Sequence, residues 1–168
     1  MTYDLEIAGG AVSATDVRVA VEEILAEARL ITLATAGPRG PHASPVFFAA
    51  DDLTLYFVGE RTTRHTGGLA TDDRISGAVF VEPPVYGEQL RGVQLHGSAA
   101  EVRPEHRSTA LSIYRRRFTD FAPTREAQQT FLLGEGRAGL YRFVVDDLTL
   151  LDEPRFGRRN YLQANVVR

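Results

Sequence analysis

The densest grouping of side chains able to do chemistry is Gly59-Glu60-Arg61-Thr62-Thr63-Arg64-His65, with Thr66 to Leu69 behind it. Within it, Arg61 to His65 supply two arginines, two hydroxyls and an imidazole. A phosphate monoester carries roughly −1.5 to −2 charge near neutral pH and is held by forked guanidinium donors, hydroxyls and open backbone N–H groups. Arg61 or Arg64 offers the fork, and Thr62 and Thr63 offer the hydroxyls. The start of a following helix offers N–H groups and a positive dipole end. His65 adds a donor, or a charge when protonated. The same residue types equally suit a solvated loop whose threonines cap a helix, so residue chemistry alone leaves both readings open.

Other chemistries are disfavoured by what the chain lacks. There is no cysteine, which excludes disulfides, thiolate catalysis and zinc–thiolate sites. There is no Gly-x-x-x-x-Gly-Lys-Ser/Thr loop and no Gly-x-Ser-x-Gly elbow. The histidines, His42, His65, His96 and His106, stand at no metal-ligand spacing, and no metal site is expected. His96 reads as a satisfied strand histidine and His106 as a solvated one. The acidic pairs Asp51-Asp52, Asp72-Asp73 and Asp146-Asp147 fall where turns are expected, and Asx hydrogen bonding accounts for them. Arg115-Arg116-Arg117 closes a predicted helix, where cations complement the dipole, and reads as a solvated face.

The elements around the Thr-Thr-Arg-His stretch follow from periodicity. Val17, Ala20, Val21, Ile24, Leu25 and Ala28 recur at helical spacing behind the capping residues Ser13 to Asp16. Leu30 to Ala36, His42 to Ala50 and Leu53 to Val58 read as three sequential antiparallel strands; Leu53, Leu55 and Phe57 share one face. A short helix over Thr66 to Thr71 is weakened by Gly67-Gly68. Arg74 to Glu82 and Leu90 to Val102 are further strands, and Gly92 and Gly97 in the second mark a bulge, a bend or a close approach. Pro104 opens a helix running to Phe118, a helix is expected around Glu126 to Leu133, and Leu140 to Val145 and Leu148 to Leu151 form the last paired strands. Residues 1–12 read as a loose arm and 152–168 as a tail near the cleft, basic and aromatic through Arg155, Arg158, Arg159 and Tyr161. Sequential hairpins with glycine inside long strands predict one mainly β domain over 1–168 with flanking helices, a six- to seven-stranded antiparallel barrel.

Composition fits that class. The chain has 168 residues, 43% of them hydrophobic and 24% charged, enough for a real core. No apolar run approaches the roughly 20 residues of a membrane-spanning helix. No basic-then-apolar leader opens the chain, so a cytoplasmic home is expected. A net charge of −3, from 19 basic and 22 acidic residues, argues against nucleic acid as a partner.

The order of these motifs resembles the pyridoxamine 5′-phosphate oxidase-like, FMN-binding split-barrel superfamily. The resemblance rests on Leu30-Ile-Thr-Leu-Ala-Thr, Gly-Pro-Arg-Gly-Pro-His-Ala-Ser-Pro-Val-Phe-Phe, Leu55-Tyr-Phe, Thr63-Arg64-His65, Asp-Asp-Arg-Ile-Ser and Leu90-Arg-Gly-Val-Gln-Leu-His-Gly-Ser-Ala. It covers roughly residues 16 to 162. It implies a split barrel that forms homodimers with FMN at the interface clefts. By position, Thr62, Thr63, Arg64 and His65 would hold the FMN phosphate. Ser44, Pro45, Val46 and Phe47 would lie along the ring, and Val58 and Gly59 would end the strand before the phosphate loop. Gln94, on a strand that in many members reaches the other subunit's flavin, would supply the cross-subunit contact, because Gly92 stands where the oxidases often carry glutamine. Ala49 replaces the oxidases' lysine, and no Ser-Arg-Pro-like run follows Tyr114, so pyridoxamine phosphate is not the expected substrate. The resemblance implies an FMN-dependent oxidoreductase acting with a small-molecule substrate or electron donor. The alternatives are a flavin, deazaflavin F420 or haem binding or sensing protein, or an empty dimeric scaffold. Haem would need an axial ligand from His42, His65 or His96.

Overall fold

The structure is a computed structural model, and it describes residues 3–9, 12–37 and 40–168. Six strands close into an antiparallel barrel. They are β2 (Leu30–Thr35), β3 (His42–Asp51), β4 (Thr54–Glu60), β5 (Arg74–Val81), β6 (Arg91–Glu101) and β7 (Ala138–Asp152). The sheet order β7-β4-β3-β2-β5-β6 returns to β7 through a β6–β7 ladder. Two further strands, β1 (Asp4–Ile7) and β8 (Tyr161–Val167), extend the sheet beyond β7. Closure brings the last strand back to the first and buries alternate residues of the strands. Leu53, Leu55, Phe57, Ile31, Leu33, Leu95, Phe143 and Leu148 are all no more than 1% exposed.

The helix α1 (Ala14–Glu27) adds Val17, Ala20, Val21, Ile24 and Leu25 to the same core. A second, smaller core lies on the outside of β3, β4 and β7. There α3 (Arg107–Arg117) and α4 (Arg125–Leu133) cover Ala49, Tyr56, Val58 and Leu140 with Leu111, Ile113, Tyr114 and Phe131. One turn of 3-10 helix, Pro104–His106, leads into α3. Thr124 caps α4 by accepting from the Ala127 N–H, and Gly134 closes it at φ 74°.

Several sequence expectations change here. Residues 4–7 of the expected loose arm are β1, paired with β8 from Asp4↔Val167 to Ile7↔Ala164. Residues 1, 2, 10 and 11 of that arm lie outside the described residues. The tail 152–168 contains a short helix, α5 (Glu153–Phe156), and β8. The two expected strands at 140–151 are one 15-residue strand. Asp146 is its bulge residue, because His96 pairs with Asp147 while Gly97 pairs with Val145. Asp146-Asp147 therefore bends a strand instead of making a turn. Gly97 is the other half of that bulge: a Cβ there would stand 2.0 Å from the Val144 carbonyl oxygen.

The predicted solvated face at Arg115–Arg117 is only part solvated. Arg116 is exposed beside Asp51, and Arg115 Nε donates to the Phe121 carbonyl. Arg117 is turned inward. It donates to the carbonyls of Leu25 and Ala26, at 2.7 and 3.1 Å, and to that of Ala28, and its guanidinium lies 4.8 Å from the Phe48 ring centroid. It satisfies the orphan carbonyls at the end of α1, whose last turn has no basic residue of its own. Burial and the nearby Arg29 lower its pKa.

Candidate functional site

The barrel is split between two of its neighbouring strands. β3 and β4 pair only from Phe48↔Phe57 to Asp51↔Thr54. Before that, His42 to Phe47 pair with β2 alone, and after it Val58 to Glu60 pair with β7 alone. The two strands part at Phe47 and Val58, both predicted site residues. The helix α2 (Arg64–Leu69) spans the gap, packing on β2, β3 and β4.

The glycines Gly59 and Gly68 let α2 come this close. A Cβ on Gly59 would stand 2.6 Å from Thr66 Cγ2 and 3.2 Å from His65 Nε2. A Cβ on Gly68 would stand 2.9 Å from the Ala36 carbonyl oxygen. This packing outweighs the weak helix propensity of Gly67-Gly68. The helix also begins two residues earlier than its sequence suggests. Thr63 is extended at φ −75°, ψ 161°, and Arg64 and His65 form the first turn.

The Thr-Thr-Arg-His stretch divides sharply by role. Arg61 faces away from the turn's open side. Its Nε and Nη2 grip the Glu101 carboxylate at 3.0 and 2.5 Å, and its Nη1 donates to the Gly136 and Ala138 carbonyls at 2.7 and 3.2 Å. Its fork is therefore committed, and of the two arginines Arg64 is the exposed one. Thr63 does not cap α2 with its side chain. Its hydroxyl donates to the Glu60 carbonyl at 2.9 Å, and Thr66 Oγ1 donates to the same oxygen at 2.5 Å. With that proton spent, Thr63 Oγ1 is an acceptor, and the Nδ1–H tautomer of His65 donates to it across 3.2 Å. Thr62 and Arg64 are exposed, and His65 and Thr66 are buried.

His65 sits against Phe57, with ring centroids 6.4 Å apart, and Phe57 stacks on Tyr141 at 5.3 Å. Burial, with a smaller effect from His42, lowers its pKa. This shift favours the neutral imidazole over the charged form.

The residues Ser44 to Phe47 do not present one face. Val46 packs on the barrel core with buried Phe48, whereas Phe47 turns outward beside Phe118, with centroids 5.5 Å apart. Tyr114 Oη donates weakly, at 3.4 Å, to the Phe47 carbonyl. Val58 lies under α3 and α4. What Ser44 to Phe47 share is the stretch of β3 that pairs with β2 and not with β4; within it Pro45 has no N–H to offer and the Phe47 carbonyl accepts from Tyr114.

The structure does not bring Gln94 into this group. It lies on β6, two strands beyond β2, exposed between Ala78 and Thr149. It borders an outer groove of about 220 Å³ lined by Phe80, Leu151 and Tyr161. In the tail, Arg155 pairs with Glu23 at 2.9 Å and Tyr161 lies in that groove. His96 also faces this side of the sheet, with Nδ1 2.9 Å from Ser76 Oγ. Sequence reasoning missed Glu101, the partner of Arg61, because the two are 40 residues apart and meet only when β6 and β7 close the barrel.

Among the described residues, no group of three or more His, Asp or Glu could hold a metal ion, and no helix is long and apolar enough to cross a membrane.

A closed antiparallel barrel whose strands β3 and β4 part beneath a short helix is a split β-barrel. The family model described as Pyridoxamine 5′-phosphate oxidase matches residues 18–144, and the chain belongs to that family. No curated protein matches it. Among solved structures it is similar to a haem binding protein from Mycobacterium smegmatis, at 18% identity and TM-score 0.67 over 87% of this chain and 57% of that one. It is similar to a conserved hypothetical protein from Mycobacterium tuberculosis, at 23% identity and TM-score 0.67 over 89% and 91%. It is also similar to the haem storage protein HutZ from Vibrio cholerae, at 17% identity and TM-score 0.58 over 75% and 92%. The chain thus spans little more than half the length of the Mycobacterium smegmatis protein. At these identities the likenesses show the fold alone.

Proposed function

We propose that the protein is an FMN-binding oxidoreductase that holds one flavin at each of two clefts in a homodimer. The observation that supports this best is the parting of β3 from β4 with the turn Thr62–His65 at its opening. The donor set fits a phosphate monoester: the Arg64 guanidinium, the Thr62 hydroxyl, and first-turn backbone N–H groups that Thr63 leaves uncapped. The stretch of β3 from Ser44 to Phe47, which β4 leaves unpaired, would lie along the isoalloxazine. Bound FMN supplies the redox chemistry, and the protein supplies binding, orientation and exclusion of water.

Dimerisation is part of the proposal because Gln94 is too far round the barrel to join Ser44 and Arg64 in one chain. It stands on an outer face bearing Phe80, 68% exposed, and Tyr161, 58% exposed. A second copy docking through that face would bring Gln94 and Tyr161 to its partner's cleft. A small-molecule substrate or electron donor would share the cleft, and a cytoplasmic setting goes with this reading.

The test is FMN titration of the protein and of Arg64→Ala. Loss of a charge-assisted hydrogen bond worth about 1.5–3 kcal/mol predicts roughly ten- to 150-fold weaker binding. Unchanged affinity removes Arg64 from the site. The competing reading is haem binding. It draws on the two haem proteins among the structural neighbours and on Ser76, which holds His96 Nδ1 and leaves Nε2 for iron. His65 is poorly placed for that role, since its Nε2 abuts Gly59. A haem spectrum lost in His96→Ala would favour this alternative over FMN.

A further inference from the structure

We infer that the Arg61–Glu101 pair is the positioning device for the phosphate turn: Glu101 sets where Thr62 and Arg64 stand without touching the ligand itself. The inference rests on the FMN reading above and deepens it.

Arg61 is the first residue beyond β4, directly before Thr62. Five hydrogen bonds from its guanidinium tie it to three places. Three go to Glu101 at the end of β6, one to the Gly136 carbonyl and one to the Ala138 carbonyl at the start of β7. Its backbone N–H adds a bond to the Arg137 carbonyl at 3.0 Å. Glu101 is also 4.0 Å from Arg107 at the start of α3. On the other side of the turn, the Glu60 carbonyl accepts from the Thr63 N–H, the Thr63 hydroxyl and the Thr66 hydroxyl. The turn is therefore held by Glu60 in front and by Arg61 behind, and the rear clamp reaches the distant strand β6 through Glu101.

The space for that clamp is built into the sequence. Gly139 pairs with Gly59 across β4 and β7. A Cβ on Gly139 would stand 2.9 Å from Glu101 Oε1 and 3.0 Å from Arg61 Nη2. The nearest atoms to such a methyl group belong to two flexible side chains, so it displaces the ion pair at little cost to folding.

A clamp that acts on the phosphate turn alone distinguishes FMN from riboflavin, which lacks the phosphate. The experiment measures both dissociation constants by fluorescence titration for the wild type, Glu101→Gln and Gly139→Ala, with thermal unfolding of each. The expected result is FMN affinity weakened about tenfold or more, equivalent to at least 1.4 kcal/mol, in both variants. Riboflavin affinity stays within about twofold, and a bidentate pair reduced to a neutral hydrogen bond explains the direction. Equal losses for FMN and riboflavin mean general destabilisation and overturn the inference. Variants that bind FMN like the wild type overturn it while leaving the flavin reading intact. A wild type that binds neither compound overturns both.

Discussion

Gly59→Ala is the substitution that most directly couples the fold to the site. The added Cβ would lie 2.6 Å from Thr66 Cγ2, about 1 Å inside ordinary carbon–carbon contact. Thr66 is 4% exposed, and its hydroxyl donates to the Glu60 carbonyl at 2.5 Å. It cannot rotate its methyl aside without losing this bond. Either α2 lifts from β4 or Thr66 turns. Overpacking of this kind costs about 1–3 kcal/mol, and each lost hydrogen bond adds about 0.5–1.5 kcal/mol. We expect a loss of about 2–3 kcal/mol in urea unfolding followed by circular dichroism, or roughly 5–10 °C in Tm for a chain of this size. FMN affinity should fall as well, because α2 carries Arg64. Thr66→Ser removes the colliding methyl and keeps the hydroxyl, so the double variant Gly59→Ala/Thr66→Ser should recover most of the loss. If Gly59→Ala matches the wild type in stability and FMN affinity, or if Thr66→Ser rescues nothing, the account of how α2 is seated is wrong.

Other expectations are simpler. Gly97→Ala places its Cβ 2.0 Å from a backbone oxygen that no rotamer change can move. It should cost more than about 3 kcal/mol, seen as insoluble protein or a sharply lowered urea midpoint. Arg117→Met should cost about 2–4 kcal/mol in the same assay, because the carbonyls that end α1 lose their donor; a change below about 0.5 kcal/mol would refute the clamp. Burial pushes the Tyr114 hydroxyl up to about 12. A folded pKa above the unfolded value near 10 gives stability that is full below pH 10 and lost as pH rises toward 12. Tyr114→Phe should flatten that part of the stability–pH curve. His65 shifts the other way, lowered by burial and then by His42. Its contribution is present above the unfolded pKa near 6.5 and is lost as pH falls through its lower folded value. His65→Gln should remove that acid-side slope, and an unchanged slope would assign it to other groups.

Much of the architecture is legible from local signals. The helical spacing of Val17 to Ala28, the alternation of Leu53, Leu55 and Phe57, and glycine inside the strand at Leu90–Val102 point to a barrel with α1 packed into its core. What local signals miss depends on closure. β1 is a short strand that finds its partner β8 more than 150 residues later, so Asp4 to Ile7 read as an arm. The 15-residue β7 reads as two strands because Asp146-Asp147 has turn chemistry, yet Gly97 across the ladder leaves room for a bulge. The site shows the same division. The turn Arg61 to His65 stands out by residue type, but type cannot say that Arg61 turns back to Glu101 while Arg64 is exposed. Nor can it say that Thr63 bonds Glu60 instead of capping α2. Those choices are made by β6 and β7, which lie far along the chain. The separation of Gln94 from Ser44 and Arg64 follows from strand order, which no single strand's pattern encodes.

The central claim is that the turn at the barrel split seats the phosphate of FMN. It is tested most directly by the visible absorption spectrum of the protein after incubation with FMN and gel filtration, with the bound species identified by mass. The account predicts flavin absorbance that co-elutes with the protein, a mass equal to that of FMN, and loss of both in Arg64→Ala. A protein that stays colourless, or one that takes up haem and excludes FMN, would contradict it.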